Sequence, residues 1–224
     1  MERLTCAGVL CDLDGTLIDS GHAVDGAWTR FAEEIGRDPA EILAMCHGVR
    51  TIEVMAGLNL DLPLEETALR VESWLVDAGS SPIPGAVDFL KSLPLDAWAI
   101  VTSSLGPTAA SRFENTELIK PNHIVAGMDV ERGKPDPAGF LLGAQLLGLA
   151  ASDCVVFEDA APGVDAGKAA GAKTVALLTT NPYEVMSHAD YVIRDMTGVT
   201  LVDAIHDGNA GWSLTFEFDV VAGD

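Results

Sequence analysis

Two aspartates separated by one residue, Asp12 and Asp14, follow a short apolar run and precede Gly15 and Thr16. On an extended segment, residues two apart project to the same side, so the pair can face one reacting group. One carboxylate can attack an electrophile while the other handles a proton. Gly15 permits a tight turn, and Thr16 is placed to cap a following helix or to bond Asp14. Thr102 ends the run Trp98-Ala99-Ile100-Val101, and Glu158 and Asp159 end the run Cys154-Val155-Val156-Phe157. Clustered carboxylates repel one another unless a cation sits among them. Oxygen donors without histidine or cysteine suit Mg2+, which takes few carboxylates and keeps several waters. Lys134, in Gly133-Lys134-Pro135-Asp136-Pro137, is a point charge able to hold a carboxylate and an anionic group together. Thr102, Ser103 and Ser104 lie between a strand and a helix, where hydroxyls and backbone N–H groups can cradle a phosphate. These residue types point to metal-assisted attack of Asp12 on a phosphate ester.

The surrounding pattern predicts what positions them. Apolar runs at 7–11, 98–101, 123–126, 154–157, 174–178 and 191–193 read as strands, and segments 107–117, 137–148 and 162–170 read as helices. Their alternation predicts an α/β fold, a doubly wound (Rossmann-like) parallel sheet covered on both faces. In such a sheet ligands bind outside the C-terminal strand ends, where Asp12, Asp14, Thr102, Glu158 and Asp159 all fall. Between Ser20 and about Ser80 the texture becomes helical, with Trp28, Phe31, Ile35, Leu69, Trp74 and Leu75 at helical spacing. This predicts a small inserted α-helical cap over residues 19–83, with 1–18 and 84–224 as a discontinuous core. Asp19 and Ser20 fall at the hinge, and Trp28, Phe31 and Trp74 read as cap core. The segment from Trp212 to Val221 alternates apolar and polar residues and reads as an edge strand or hairpin.

Composition narrows the partners. The chain has 224 residues, 48% of them hydrophobic, enough for a full core and too apolar for disorder. Its formal charge of −21 repels nucleic acid and anionic membranes, so neither is expected as a partner. The four cysteines (Cys6, Cys11, Cys46 and Cys154) show no CxxC spacing and read as buried free thiols of a reducing compartment. With no signal pattern and no apolar stretch of about 18 residues, the reading is a cytoplasmic protein, a monomer or else a dimer.

On these residues the chain resembles the haloacid dehalogenase-like phosphatases. It carries four motifs of that superfamily in order: Asp12-Leu13-Asp14-Gly15-Thr16, Thr102, Lys134, and Glu158-Asp159. The resemblance implies that Asp12 forms an aspartyl-phosphate and that Asp14 protonates the leaving group, then activates water. It implies that Thr102 and Lys134 bind the phosphoryl group. It also implies Mg2+ on Asp12, the Asp14 backbone carbonyl and Asp159, with Glu158 acting directly or through water. Within the superfamily the chain is similar to sugar- and polyol-phosphate phosphatases, bacterial hexitol-phosphate and fungal glycerol-3-phosphate and 2-deoxyglucose-6-phosphate enzymes among them. The similarity rests on segments such as His47-Gly48-Val49-Arg50-Thr51 and Ile83-Pro84-Gly85-Ala86-Val87. There Gly48 and Arg50 would form a substrate-selecting loop, with Arg50 meeting substrate hydroxyls or a second anion. The expected partner is a small phosphorylated metabolite. The rival reading is a β-phosphoglucomutase-like isomerase that retains a bisphosphate. A non-catalytic phosphate-binding module is a weaker rival, since no motif residue is missing. Phosphonate hydrolysis is disfavoured because no lysine lies between Gly15 and Leu90. Dehalogenation is disfavoured because the relatives that perform it lack the second aspartate.

Overall fold

The computed structural model describes residues 1–77, 79–208 and 211–223. Strand β1 (Glu2–Cys6) is followed, after a bend at Ala7, by β2 (Gly8–Cys11), buried at every position. Such a continuous apolar strand fits the middle of a sheet covered on both faces. Strand β3 (Ile18–Asp19) then leads into four helices, α1 (Gly21–Glu34), α2 (Pro39–Cys46), α3 (Thr51–Gly57) and α4 (Leu64–Asp77). Asp38 caps α2 by accepting the Ala40 N–H at 3.0 Å, and Pro39 occupies the first helical position, where no N–H is needed. The four helices enclose their own core of Trp28, Phe31, Ile42, Val54, Met55 and Val71. Leu69, expected to face inward, is 57% exposed. Trp74 is half-buried at the edge of this core, and the Arg30 guanidinium sits 3.9 Å from its ring centroid. Strand β4 (Ser81–Pro82) returns antiparallel to β3, so the chain leaves and re-enters through one short ribbon.

Strands and helices then alternate: α5 (Ala86–Ser92), β5 (Trp98–Val101), α6 (Gly106–Glu114), β6 (Ile124–Val125), α7 (Ala138–Leu146), β7 (Cys154–Glu158), α8 (Ala161–Ala169), β8 (Lys173–Leu177), α9 (Tyr183–Met186) and β9 (Tyr191–Ile193). They form one parallel sheet in the order β6-β5-β2-β7-β8-β9. From β2 the chain winds out to β6, crosses back, and winds out the other way to β9. This is the doubly wound α/β architecture expected, and its reversal beside β2 leaves a crevice at the C-terminal ends of β5, β2 and β7.

The last two strands, β10 (Val199–Asp207) and β11 (Gly211–Phe218), form a hairpin, one of the two forms expected for this segment, but not at the edge of the main sheet. Instead of extending the parallel sheet, they join β1 in a separate antiparallel sheet ordered β1-β11-β10. The inward side of β11 explains its place. Leu214, Phe216 and Phe218 are fully buried, and Phe216 lies 6.1 Å from Phe89 and 6.4 Å from Phe157, ring centre to ring centre. Burial of each such side chain is worth roughly 1.5–3 kcal/mol. This covers part of one face of the main sheet with the second sheet. All four cysteines are free; Cys11, Cys46 and Cys154 are buried and Cys6 is half-buried. Among the described residues, no helix is long and apolar enough to cross a membrane.

Candidate active site

Parallel register brings the acids together. Cys11 of β2 pairs with Ile100 of β5 on one side and Phe157 of β7 on the other. The residues at and just past the ends of these strands, Asp12, Thr102 and Glu158-Asp159, therefore emerge at one edge of the sheet. Backbone bonds fix them there: Asp12 N–H donates to Phe157 O and Thr102 N–H to Val125 O, each at 2.9 Å. Asp12, Thr102, Lys134, Glu158 and Asp159 are all buried.

Lys134 is the cation of this cluster. An ammonium has three protons to donate, and here they meet Asp12 Oδ1 at 2.5 Å, Glu158 Oε1 at 2.6 Å and Val101 O at 3.0 Å. Burial alone would lower the Lys134 ammonium, but the carboxylates of Asp12 and Glu158 override it and hold it above its ordinary range. Glu158 is held from its other side as well. Its Oε2 accepts the N–H groups of Asp159 and Ala160, at 2.9 and 3.0 Å, at the entrance to α8. Gly163 in the first turn of α8 leaves room for this carboxylate, which a Cβ there would strike. Glu158 thus anchors Lys134, which anchors Asp12.

One ammonium among three buried carboxylates leaves an excess of negative charge. Oxygens of Asp12, Glu158 and Asp159 all lie within 4.8 Å of one another. Burial pushes the Asp12 carboxyl well above its usual range; Lys134 works against this, while Glu158 and Asp159 add to it. Asp159 is pushed up to about 7 by burial and by Glu158, despite help from Thr180, Lys134 and Thr16. An all-oxygen set so short of positive charge fits a hard divalent cation. Thr16, expected to cap a helix or bond Asp14, instead donates to Asp159 Oδ1 at 3.1 Å. Gly15 (φ +86°) turns the chain tightly against Asp159, where no side chain fits.

Asp14 stands on the same side as Asp12 but belongs to a different set of contacts. Its carboxylate accepts from Ser104 Oγ at 2.8 Å and from Arg112 Nε at 3.0 Å. Arg112, on α6, is 1% exposed and also donates to Leu75 O of α4 at 3.2 Å. Its place in the sequence, within an ordinary amphipathic helix, gave no sign of this role.

Helices α1–α4 roof the crevice and enclose a small chamber above the catalytic edge. Asp12, Asp14, Thr102, Ser103, Ser104 and Asp159 line it from below; Trp28, His47, Gly48, Thr51 and Glu72 line it from above. Gly48 and Ser103 are both at the chamber as expected, and they meet: Ser103 Oγ donates to Gly48 O at 2.8 Å. His47 Nε2 lies 3.4 Å from Asp25. Lys134 sits behind Asp12 and is not part of the chamber wall.

Arg50, expected to meet substrate, is placed elsewhere. Its guanidinium donates to the carbonyls of Gly127 (2.8 Å), Val130 (2.9 Å) and Glu131 (2.9 Å) and to Glu53 Oε1 (2.5 Å). Glu53 in turn accepts the Gly133 N–H at 2.9 Å, next to Lys134. The pair clasps the roof to the loop that carries Lys134. Removing charge-assisted bonds of this kind loses about 1.5–3 kcal/mol. Arg50→Ala should therefore raise KM by roughly tenfold, about equally for every ester, because a clasp favours closure whatever is bound. Steady-state kinetics on two unlike esters checks this; a changed preference between them would place Arg50 on the substrate instead.

Comparison with known proteins follows the same lines. The haloacid dehalogenase-like hydrolase family model matches residues 6–171. Hexitol phosphatase A of Escherichia coli (strain K12) is 40% identical over 205 residues, covering 88% of this chain and 95% of its own. 2-Deoxyglucose-6-phosphate phosphatase 1 of Saccharomyces cerevisiae is 37% identical over 225 residues, covering 89% and 92%. The crystal structure of a β-phosphoglucomutase from Clostridium difficile superposes with a TM-score of 0.71 at 20% identity, covering 85% of this chain and 92% of its own. At that identity it shows the shared fold alone.

Proposed function

The chain belongs to the haloacid dehalogenase-like hydrolase family and is a phosphatase; we propose that it hydrolyses a small sugar or polyol monophosphate through a phospho-aspartate, with Mg2+ as cofactor. The observation that carries this reading is Asp12, a buried carboxylate at the centre of the sheet edge, held by Lys134 and open to the same chamber as Asp14. The substrate class follows the names of the two phosphatase relatives, which act on hexitol phosphates and on 2-deoxyglucose 6-phosphate.

In the first half-reaction an Asp12 oxygen bonds to phosphorus, the bond from phosphorus to the ester oxygen breaks, and Asp14 protonates the departing alcohol. In the second, Asp14 takes a proton from water as that water attacks the same phosphorus, which releases phosphate and restores Asp12. Thr102 and Ser103 orient the phosphoryl oxygens, while Lys134 offsets charge on Asp12. Mg2+, held by Asp12, Asp159 and the Asp14 carbonyl with Glu158 alongside, would neutralise charge between the attacking carboxylate and the phosphate. The roof, residues 19–83, opens about the β3–β4 ribbon to admit substrate and closes to exclude water.

A phosphate-release screen over sugar, polyol and nucleotide monophosphates tests the reading. Release from sugar or polyol esters is expected, lost with EDTA and restored by Mg2+. A nucleotide-only profile would overturn the substrate class, and metal-independent release would overturn the cofactor. Saturating Mg2+ should also raise Tm. Ligand at about 100 times its Kd adds roughly 2.7 kcal/mol, which for a chain of this size is about 5–10 °C. Calorimetry should show most of that rise missing in Asp159→Asn.

A further inference from the structure

The roof contributes one charged side chain to the chamber that the chemistry above leaves unused. Glu72, on α4, is 3% exposed and lines the chamber together with Asp14, Thr102 and Ser104. Every group that meets its carboxylate is a donor. Thr51 Oγ1 donates to Oε1 at 2.6 Å, the Leu105 N–H approaches Oε2 at 3.3 Å, and the Thr108 hydroxyl lies close enough to help hold it. These donors favour the ionised carboxylate, against burial and the nearby Asp14 carboxylate, which hold it above its usual range. Such a group has about four acceptor positions, so three donors leave one for whatever enters the chamber.

What is missing around Glu72 matters as much. Among the described residues that line the chamber there is no lysine or arginine. Arg50, the nearest sequence candidate for binding a second anion, has its guanidinium on loop carbonyls and Glu53. His47 faces Asp25, and the core wall adds Asp12, Asp14 and Asp159. A phosphate bound over Asp12 has Lys134 and a metal to meet its charge. A second anionic group, carried by the rest of the substrate into the roof, would meet a buried carboxylate, while the buried cation beside the chamber, Arg112, already faces Asp14 and Leu75 O. An unpaired charge in such a place is strongly disfavoured.

We propose that Glu72 determines specificity: its carboxylate accepts a hydrogen bond from a hydroxyl of the substrate's carbon chain and repels any second anion. The enzyme then turns over monophosphates of neutral polyols and sugars and discriminates against bisphosphates and phosphorylated carboxylic acids. This rests on the phosphatase reading above and extends it. The same charge disfavours a mutase cycle, which must hold a bisphosphate in this chamber. A buried acceptor that needs a donor from its ligand also rejects substrates without the hydroxyl, because its last position would go unmet.

The test compares kcat/KM for glycerol 3-phosphate with that for 3-phosphoglycerate, which has a carboxylate in place of a hydroxymethyl group. The wild-type enzyme should prefer the neutral ester by about 100-fold or more, and Glu72→Gln should shrink that preference at least tenfold, mainly through KM. Wild-type rates within a factor of three would overturn the proposal whatever the variant does. A Glu72→Gln enzyme that hydrolyses p-nitrophenyl phosphate yet keeps the full preference would overturn it too, leaving Glu72 as a contact between α4 and α6. Absence of phosphate release from every ester, p-nitrophenyl phosphate included, would overturn the phosphatase reading and this proposal with it. Release with a lost preference supports both.

Discussion

Asp12→Asn should abolish turnover and at the same time raise the melting temperature of the metal-free protein. The first half follows from chemistry. An amide nitrogen or oxygen is a poor nucleophile toward a phosphate ester. Loss of roughly 10⁴-fold or more is expected in kcat. The second half follows from electrostatics. Burial, Glu158 and Asp159 push the Asp12 carboxyl up, against Lys134. A carboxyl raised in this way favours its protonated form in the folded chain. Its contribution to stability is present below the unfolded pKa and is lost as pH rises through the folded one, so at neutral pH the ionised group is a net cost. Asparagine removes the charge while its carbonyl can still accept from Lys134 Nζ. Lys134 keeps Glu158 as its partner, so the substitution removes surplus negative charge without stranding a cation, and a gain of about 1–2 kcal/mol is expected, here roughly 2–8 °C. Calorimetry without metal and a p-nitrophenyl phosphate assay with Mg2+ check the two halves. Activity near that of the wild type would remove Asp12 as the nucleophile, and a marked fall in Tm would mean that the cluster is not short of cations.

How far the sequence shows this site depends on which elements carry it. Asp12, Thr102 and Glu158-Asp159 each end an apolar run, so their meeting is a property of parallel topology and is readable without coordinates. Lys134 is readable for a related reason: its loop is marked by Gly133 and two prolines. Helix-borne partners are not readable in this way. Arg112 reaches Asp14 from α6 and Glu72 reaches the chamber from α4, and both positions look like polar residues on amphipathic helices until the roof is docked. Arg50 shows a different limit. Its residue type predicts a donor, but carbonyls of Gly127, Val130 and Glu131 and a substrate hydroxyl are equally good acceptors, and only the fold chooses between them. The second sheet was hidden by distance and exposure. β1 pairs with β11 from the opposite end of the chain, and β10 is buried only at Val199, so no inward face marks it as a strand.

Lys134→Met should produce the opposite sign of stability change from Asp12→Asn, although each variant breaks the same ion pair. With the ammonium gone, Asp12, Glu158 and Asp159 remain buried with no fixed cation among them, and Glu158 Oε1 and Val101 O each lose their donor. Removing one partner from a buried pair loses about 3–5 kcal/mol, or roughly 6–20 °C in Tm for a chain of this length. Activity should fall by roughly 10²–10³-fold, since the group that offsets the charge on Asp12 is absent. Mg2+ should return part of the lost stability, because it would sit among the same oxygens, and that recovery should be larger in degrees than its effect on the wild-type protein. Asp12→Asn combined with Lys134→Met should be more stable than Lys134→Met alone, since one fewer anion is left unpaired. Calorimetry of the four proteins with and without Mg2+ decides the matter. If both single variants lower Tm by similar amounts and the double variant is no less stable than either, Asp12 and Lys134 form a simple stabilising ion pair. Opposite signs with recovery in the double variant mean that the fold carries an excess of buried carboxylate there at its own expense, which makes energetic sense only for a site that gathers a cation and a phosphate.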